Sequence, residues 1–538
     1  MIRWKAFSVA VCLWLVLYAL SQEGHHGHGG PEKLGRVVFP TSCQPAAQKH
    51  FERGVALLHS FWYEEAAKAF AAATAADSRC AMGYWGQAMS YYHPLWEPAD
   101  EATLKKGWVA VEAARAAGAK TERERDYMAA IELFYKNAAP TDHRAGALAY
   151  SAAMEEVYQR YPQDREAAVF YALSLVGTAL PTDKTFAHQL KAGQILERVF
   201  AEQPHHPGVA HYLIHSYDYP ALAPHGLRAA RAYAKIASSA PHALHMPSHI
   251  FTRLGLWEES IASNRASARA AKNYAVQVKM GATWDQELHA MDYLMYAYLQ
   301  RGQYRDAKRV LEEEALIKRV EPDTLTAPYA RAAIPARYAL ERQDWPAAAG
   351  LAVKPTRYSA TQAITYFARA VGASRSGNLT AAREATETLK AISEKLAAEG
   401  QAYWADQVRI QHLAAAAWLA KAEGRNQDAL RLMTDAANLE DSTEKHPVTP
   451  GPVVPAREML GELYLESGKP ADAARELAAA LQSSPNRPRA LFGAARAAEM
   501  QGETTAAKTF YQKFVRLLAS ADEPSPDVKT ARAFLAKR

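Results

Sequence analysis

The hydrophobic and polar positions of this chain follow a helical rhythm rather than a strand rhythm. Val/Ile/Thr alternation of the kind that marks half-buried strands is nearly absent, while alanine, leucine, glutamate, lysine, arginine and glutamine dominate. Over 538 residues such a pattern predicts either several domains or a helical array that lengthens without enlarging one core. Three stretches break it. Residues 1–21 carry Arg3 and Lys5, then an apolar run from Ala6 to Leu20, ending on Ala19-Leu20-Ser21; this reads as a signal peptide. An uncleaved anchor is the competing reading, against which stands a run shorter than the ~20 residues a spanning helix needs. Residues 22–46, rich in Gly, His and Pro, predict a flexible leader, and HPVTPGPVVP at 446–455 predicts a stiff linker.

Internal repetition is clearest near the C-terminus. Leu460-Gly461, Tyr464, Gly468, Ala473, Ala480 and Pro485 are followed one period later by Ala495, Gly502, Ala507 and Phe514. Small residues at these places let two helices approach closely, and glycine and proline mark the helix ends. This pattern resembles the 34-residue tetratricopeptide repeat. Weaker copies run through Gly54, Leu57, Ala66, Phe70 and Ala73, through Tyr84 and Ala88, and through Gly255-Leu256-Trp257. Others follow at Met295, Tyr298, Gly302, Tyr304 and Ala307, at Gly377 with Ala382, and at Gly424 with Ala429.

The resemblance implies an all-α fold, a right-handed α-solenoid of tetratricopeptide-type helix-turn-helix repeats. It divides the chain into N-terminal repeats (47–99), an irregular helical region (100–205), central His-rich repeats (206–320), degenerate repeats (321–445), C-terminal repeats (456–520) and a terminal helix or tail (521–538). The strings HPGVAHYLIHSYDYP and APHALHMPSHIFTRLGLW look like those of a bacterial family of exported tetratricopeptide proteins.

The candidate chemistry is concentrated in the centre. Histidines 205, 206, 211, 215, 225, 242, 245 and 249 are eight of nineteen in the chain. His211 with His215, and His245 with His249, are spaced i,i+4, so each pair can offer two imidazoles from one helical face to one metal ion. These four, with His289, are the expected metal ligands, for zinc or copper. Asp218 or Asp292 would supply an oxygen ligand or orient a histidine. The bland alternative is that these histidines pack as core or bond structural carbonyls. By resemblance, His242, His245 and His249 take positions 2, 5 and 9 of a first helix, and His289, Asp292 and Tyr296 take the same positions one repeat later. Those positions line the concave groove of the family, so His242, Asp292 and Tyr296 are expected as groove residues. His59 and His93 stand 34 residues apart in successive repeats and, with Glu97, read either as a polar site at the groove edge or as polar groups at the ends of first helices, satisfied by neighbouring loops. Pro247 breaks the frame, since it lacks a backbone donor.

Charge and cysteine usage narrow the classes. A net charge of +6 with interspersed signs leaves no nucleic-acid footprint, and no segment after residue 21 is long and apolar enough to span a bilayer. Cys12 falls in the signal peptide, leaving Cys43 and Cys80, which predict a disulfide in an oxidising, periplasmic or secreted setting. A thiol metal site competes, but 36 intervening residues match no zinc spacing. HYLIH lacks the glutamate of a zincin helix, and no phosphate loop or nucleophile elbow is present. Two readings remain. One is a binding solenoid that holds a protein, peptide or small ligand in its groove. The other is a metal-dependent enzyme, hydrolytic or oxidative, built on the histidine cluster.

Overall fold

The computed structural model describes residues 32–95, 98–139, 142–523 and 525–537. The proposed signal peptide, leader histidines 25, 26 and 28, and Glu97 lie outside them. Among the described residues the chain is helical almost throughout. The one strand pairing is a two-residue parallel contact of Thr283–Trp284 with Val320–Glu321. None of these helices is long and apolar enough to cross a membrane.

Consecutive helices pack on one another, as in Pro45–His59 with Tyr63–Ala76 and Ala456–Glu466 with Pro470–Ser483. First helices also pack on the first helix of the next pair, as Asp285–Gln300 does on Thr326–Glu341. The turns of many pairs use a left-handed residue. Gly468 adopts φ +67°, and the same turn recurs at Gly255, Gly302, Gly377, Gly424 and Gly502. At Gly461 a Cβ would lie 2.4 Å from Leu477, so close approach of the paired helices requires the missing side chain. The irregular region is also built of helices, started by side-chain caps at Asp100, Thr121, Asp142 and Asp164. Thr121 and Glu124 form a capping box. The apolar interior is a succession of cores rather than one, the largest running from Leu34 to Trp284.

Two segments differ from expectation. Residues 34–43 are not a loose leader: Arg36 donates to the His205 carbonyl, and fully buried Phe39 packs on Phe51, Trp85 and Tyr127. The proline-rich segment is not a solvent-spanning linker either. Val448, Thr449, Gly451, Val453 and Val454 are buried, because Arg337 donates to Thr449 Oγ1 and to the Gly451 and Pro452 carbonyls. This strap, residues 443–455, lies across the Asp285–Gln300 helix, where Tyr293 donates to the Thr449 carbonyl at 3.1 Å. Beyond it the C-terminal repeats fold back on the central ones. Trp257 donates to the Asn486 carbonyl, Arg301 to the Leu517 carbonyl, and Asp522 accepts from the Tyr304 amide.

Cys43 and Cys80 form a disulfide that ties the approach to the Pro45–His59 helix to the start of Ala81–Met89. Replacing both by alanine is expected to cost about 2–4 kcal/mol, since the open chain regains the entropy of a long loop. Urea unfolding measures it, and an unchanged midpoint would exclude that contribution.

Candidate metal centre

Six buried histidines form two adjoining triads. His211 and His215 come from the helix Pro207–Tyr217, which His206 caps at its N-terminus and Pro207 opens. His242 and His245 sit on the short helix Pro241–His245, and His249 on Pro247–Arg253. Pro247 interrupts the helix without unwinding it: Met246 keeps helical angles, so His245 and His249 still share a face. His289 lies on Asp285–Gln300. One triad is His211, His215 and His242; the other is His245, His249 and His289. Within each, one ligand nitrogen per ring lies within 4.8 Å of the other two. The triads meet where His215 faces His249 and His242 faces His245, ring centroids 5.9 and 6.0 Å apart.

For His211, His215, His242, His245 and His249 the atoms that meet are Nε2. His211 Nε2 lies 3.1 Å from that of His215 and 3.2 Å from that of His242, and His245 Nε2 lies 3.0 Å from that of His249. Donors about 2.0–2.1 Å from a tetrahedral ion stand roughly 3.3 Å apart, close to these spacings.

The outward nitrogens fix the tautomers. His211 Nδ1 lies 2.7 Å from the His59 main-chain carbonyl, which can only accept. His249 Nδ1 lies 2.8 Å from the Asp218 carboxylate. Asn264 gives its amide protons to the Ser260 carbonyl, so its oxygen accepts from His245 Nδ1 at 2.6 Å. Gln286 Oε1 faces His242 Nδ1 at 3.3 Å. All four rings therefore carry their proton on Nδ1, and their Nε2 lone pairs point inward. Neutral His245 and His249 then face each other lone pair to lone pair at 3.0 Å, as do His211 and His242 at 3.2 Å, with no proton between them. A cation between them would convert that repulsion into coordination.

Electrostatics keep the rings neutral. Burial, reinforced by neighbouring rings, holds His211, His215, His245 and His289 well below the usual histidine value, and His242 at about 3. Burial would raise Asp218, but Lys445 and Arg253, both ion-paired to it at 2.8 and 2.9 Å, hold it well below the carboxylate range. Lys445 falls to about 8, chiefly through burial. Phe61, at φ +52°, lays its ring against His211, His215 and His242. Tyr293 Oη stands 3.2 Å from His249 Nε2. A cavity of about 230 Å³ reaches His215 and Asp218 between Pro94, Leu95, Val176, Tyr403 and His446.

A third buried group, His59, Glu166 and His206, has the opposite proton inventory. His206 Nδ1 accepts from the Val209 amide, so its Nε2 donates to Glu166 at 2.8 Å. His59 donates to the other Glu166 oxygen at 2.8 Å, while its Nδ1 faces Tyr212 Oη at 2.9 Å. Burial pushes Glu166 up, yet His206 and His59 outweigh it and bring the carboxyl to about 2. Every donor here meets an acceptor. The network holds the turn whose carbonyl orients His211.

Residues 458–522 match the tetratricopeptide repeat family. This stretch carries tetratricopeptide repeats. Similar solved structures include the human IFIT1 dimer with m7Gppp-AAAA, at 9% identity and TM-score 0.34, covering 79% of this chain and 88% of that one. Another is the P58(IPK) tetratricopeptide domain, at 13% identity and TM-score 0.20, covering 91% and 99%. No curated protein matches the chain.

The tetratricopeptide frame put the expected residues in several places. His211, His215, His245, His249 and His289 lie in the triads, and His242, expected only in the groove, completes the first of them. Asp292 belongs to neither triad and pairs with Arg337 at 2.9 Å. Tyr296 accepts from Arg487 and packs beside Gly451, so this part of the tetratricopeptide groove is filled by the chain's own strap. His59 is fully buried in the Glu166 network rather than at a groove edge. His93 stacks on Tyr63 and bonds the Ser90 carbonyl, apart from both triads. Asn264, Gln286, Phe61, Glu166 and Lys445 carried no recognisable sequence signal.

Proposed function

We propose that this chain is an exported metalloprotein in which a tetratricopeptide solenoid encloses two tri-histidine transition-metal sites. The observation that carries the reading is the facing Nε2 lone pairs, His245 against His249 and His211 against His242, each ring locked by a partner on Nδ1. Three nitrogen ligands per ion leave a position open for a small ligand or a reacting molecule, the arrangement of catalytic rather than structural sites. The cavity beside His215 supports access to it. Export rests on the basic and apolar N-terminus and agrees with the Cys43–Cys80 bond.

Metal analysis of untagged protein after reconstitution tests this. The expected content is two equivalents for the native chain, falling to one in His211→Ala and one in His249→Ala, and unchanged in His93→Ala. Less than about a tenth of an equivalent in the native chain overturns the reading.

A second reading has its own observation. Repeats of this kind bind protein or ligand partners in general. A cleft of about 240 Å³ in the C-terminal half is lined by Trp345, Trp418 and Phe492, with Arg375 stacked on both tryptophans. A peptide partner would bind there, away from the strap-filled groove, and Trp418→Ala would abolish its capture without changing metal content.

A further inference from the structure

We infer that the two sites form one dinuclear copper centre that binds dioxygen between the ions, an inference that rests on the metal reading above.

Charge selects the metal. Among the described residues each triad is made of imidazoles alone, ligands that carry no negative charge, and neither group includes a carboxylate. Of the nearest carboxylates, Asp218 is already shared by Lys445 and Arg253, and Asp292 is neutralised by Arg337. Two divalent ions would place four positive charges in a buried site with no anion to offset them, and their mutual repulsion is fourfold that of two monovalent ions at the same separation. Neutral nitrogen donors and a monovalent state point to cuprous copper, for which three imidazoles form a complete shell.

Proximity selects a shared ligand. Rings of different triads lie 5.9 Å apart at His215 and His249 and 6.0 Å at His242 and His245, so ions held by the two triads would be close neighbours. A two-atom molecule spans adjoining ions without displacing a histidine. Each cuprous ion gives one electron to dioxygen. The O–O σ bond is kept, and the product is a peroxide dianion between two cupric ions. No proton or further reductant is needed. The charge of the whole centre is +2 before and after, so a buried site takes up the molecule without importing a counter-ion. Release reverses the same two-electron transfer. The route is the cavity at His215, with Pro94, Leu95, Val176 and Pro181 on one part of its wall and Asp218, Glu444 and Lys445 on another, wide enough at about 230 Å³ for a diatomic molecule.

Full-length protein is loaded with cuprous ion under anaerobic conditions and then exposed to oxygenated buffer. The expected result is two coppers per chain and one dioxygen consumed per two coppers. A near-ultraviolet charge-transfer band should appear, and the cupric pair should be silent in electron paramagnetic resonance. His215→Ala, with its fold confirmed by circular dichroism, should lower dioxygen uptake at least tenfold. Two bound coppers with no uptake, or with the resonance of isolated cupric ions, overturn the dinuclear inference and leave the metal sites standing. So does a chain that takes two zinc ions but no copper. A chain that binds no metal overturns both.

Discussion

Substituting Arg487 by methionine is expected to lower the unfolding free energy by about 3–5 kcal/mol, the range for a buried charge pair broken from one side. Arg487 is fully buried and bonds Glu458 through Nε at 2.7 Å and Nη2 at 2.8 Å, Glu341 at 2.6 Å and Tyr296 Oη at 2.9 Å. Methionine fills much of the volume but leaves two buried carboxylates facing each other. Arg489, 3.8 Å from Glu458, compensates only in part, because it is already paired with Glu462. Denaturant unfolding measures the loss. Adding Glu458→Gln and Glu341→Gln to the arginine variant should recover most of it, since the stranded charges are then gone. A loss under about 1 kcal/mol for the single variant would mean that water reaches this network.

Asp218→Asn is expected to act on two readouts at once. The carboxylate accepts from His249 Nδ1 and neutralises Lys445 and Arg253. Asparagine keeps the shape, removes the charge and leaves two buried cations, of which only Arg253 has a second carboxylate, Glu444 at 3.5 Å. Stability should fall by about 3–5 kcal/mol. Metal affinity should fall roughly 10- to 100-fold, the usual effect of removing the group that fixes a ligating imidazole. A chelator competition titration gives the second number. Unchanged affinity with reduced stability would make Asp218 a structural counter-ion only.

Much of this architecture is readable from local spacing. Glycines at turn positions and small residues between paired helices impose a period, and the period survives drift at the other places because close approach tolerates little else. The i,i+4 spacing likewise exposes His211 with His215 and His245 with His249. What escapes is whatever the chain brings back from afar. Asn264 and Gln286 reach their histidines across 19 and 44 residues, the His59 carbonyl across 152, and Lys445 reaches Asp218 across 227. A repeat frame predicts neighbours one repeat away and is silent on such returns. For the same reason Asp292 and Tyr296 were placed facing an open groove: nothing near them in sequence announces the strap. Phe39 shows how composition misleads in the other direction, since one aromatic residue anchors a stretch whose Gly, His and Pro content suggests looseness.

The strap also sets an order of events. Every triad histidine lies between residues 211 and 289, whereas the segment over Tyr293 begins at residue 443, so the nascent chain presents its imidazoles to solution long before the cover exists. An ion entering then meets an open face. Once Arg337 pins the strap at Thr449 and Gly451, the cavity at His215 is the approach that remains, so the finished protein should load and release an ion more slowly than the open chain would.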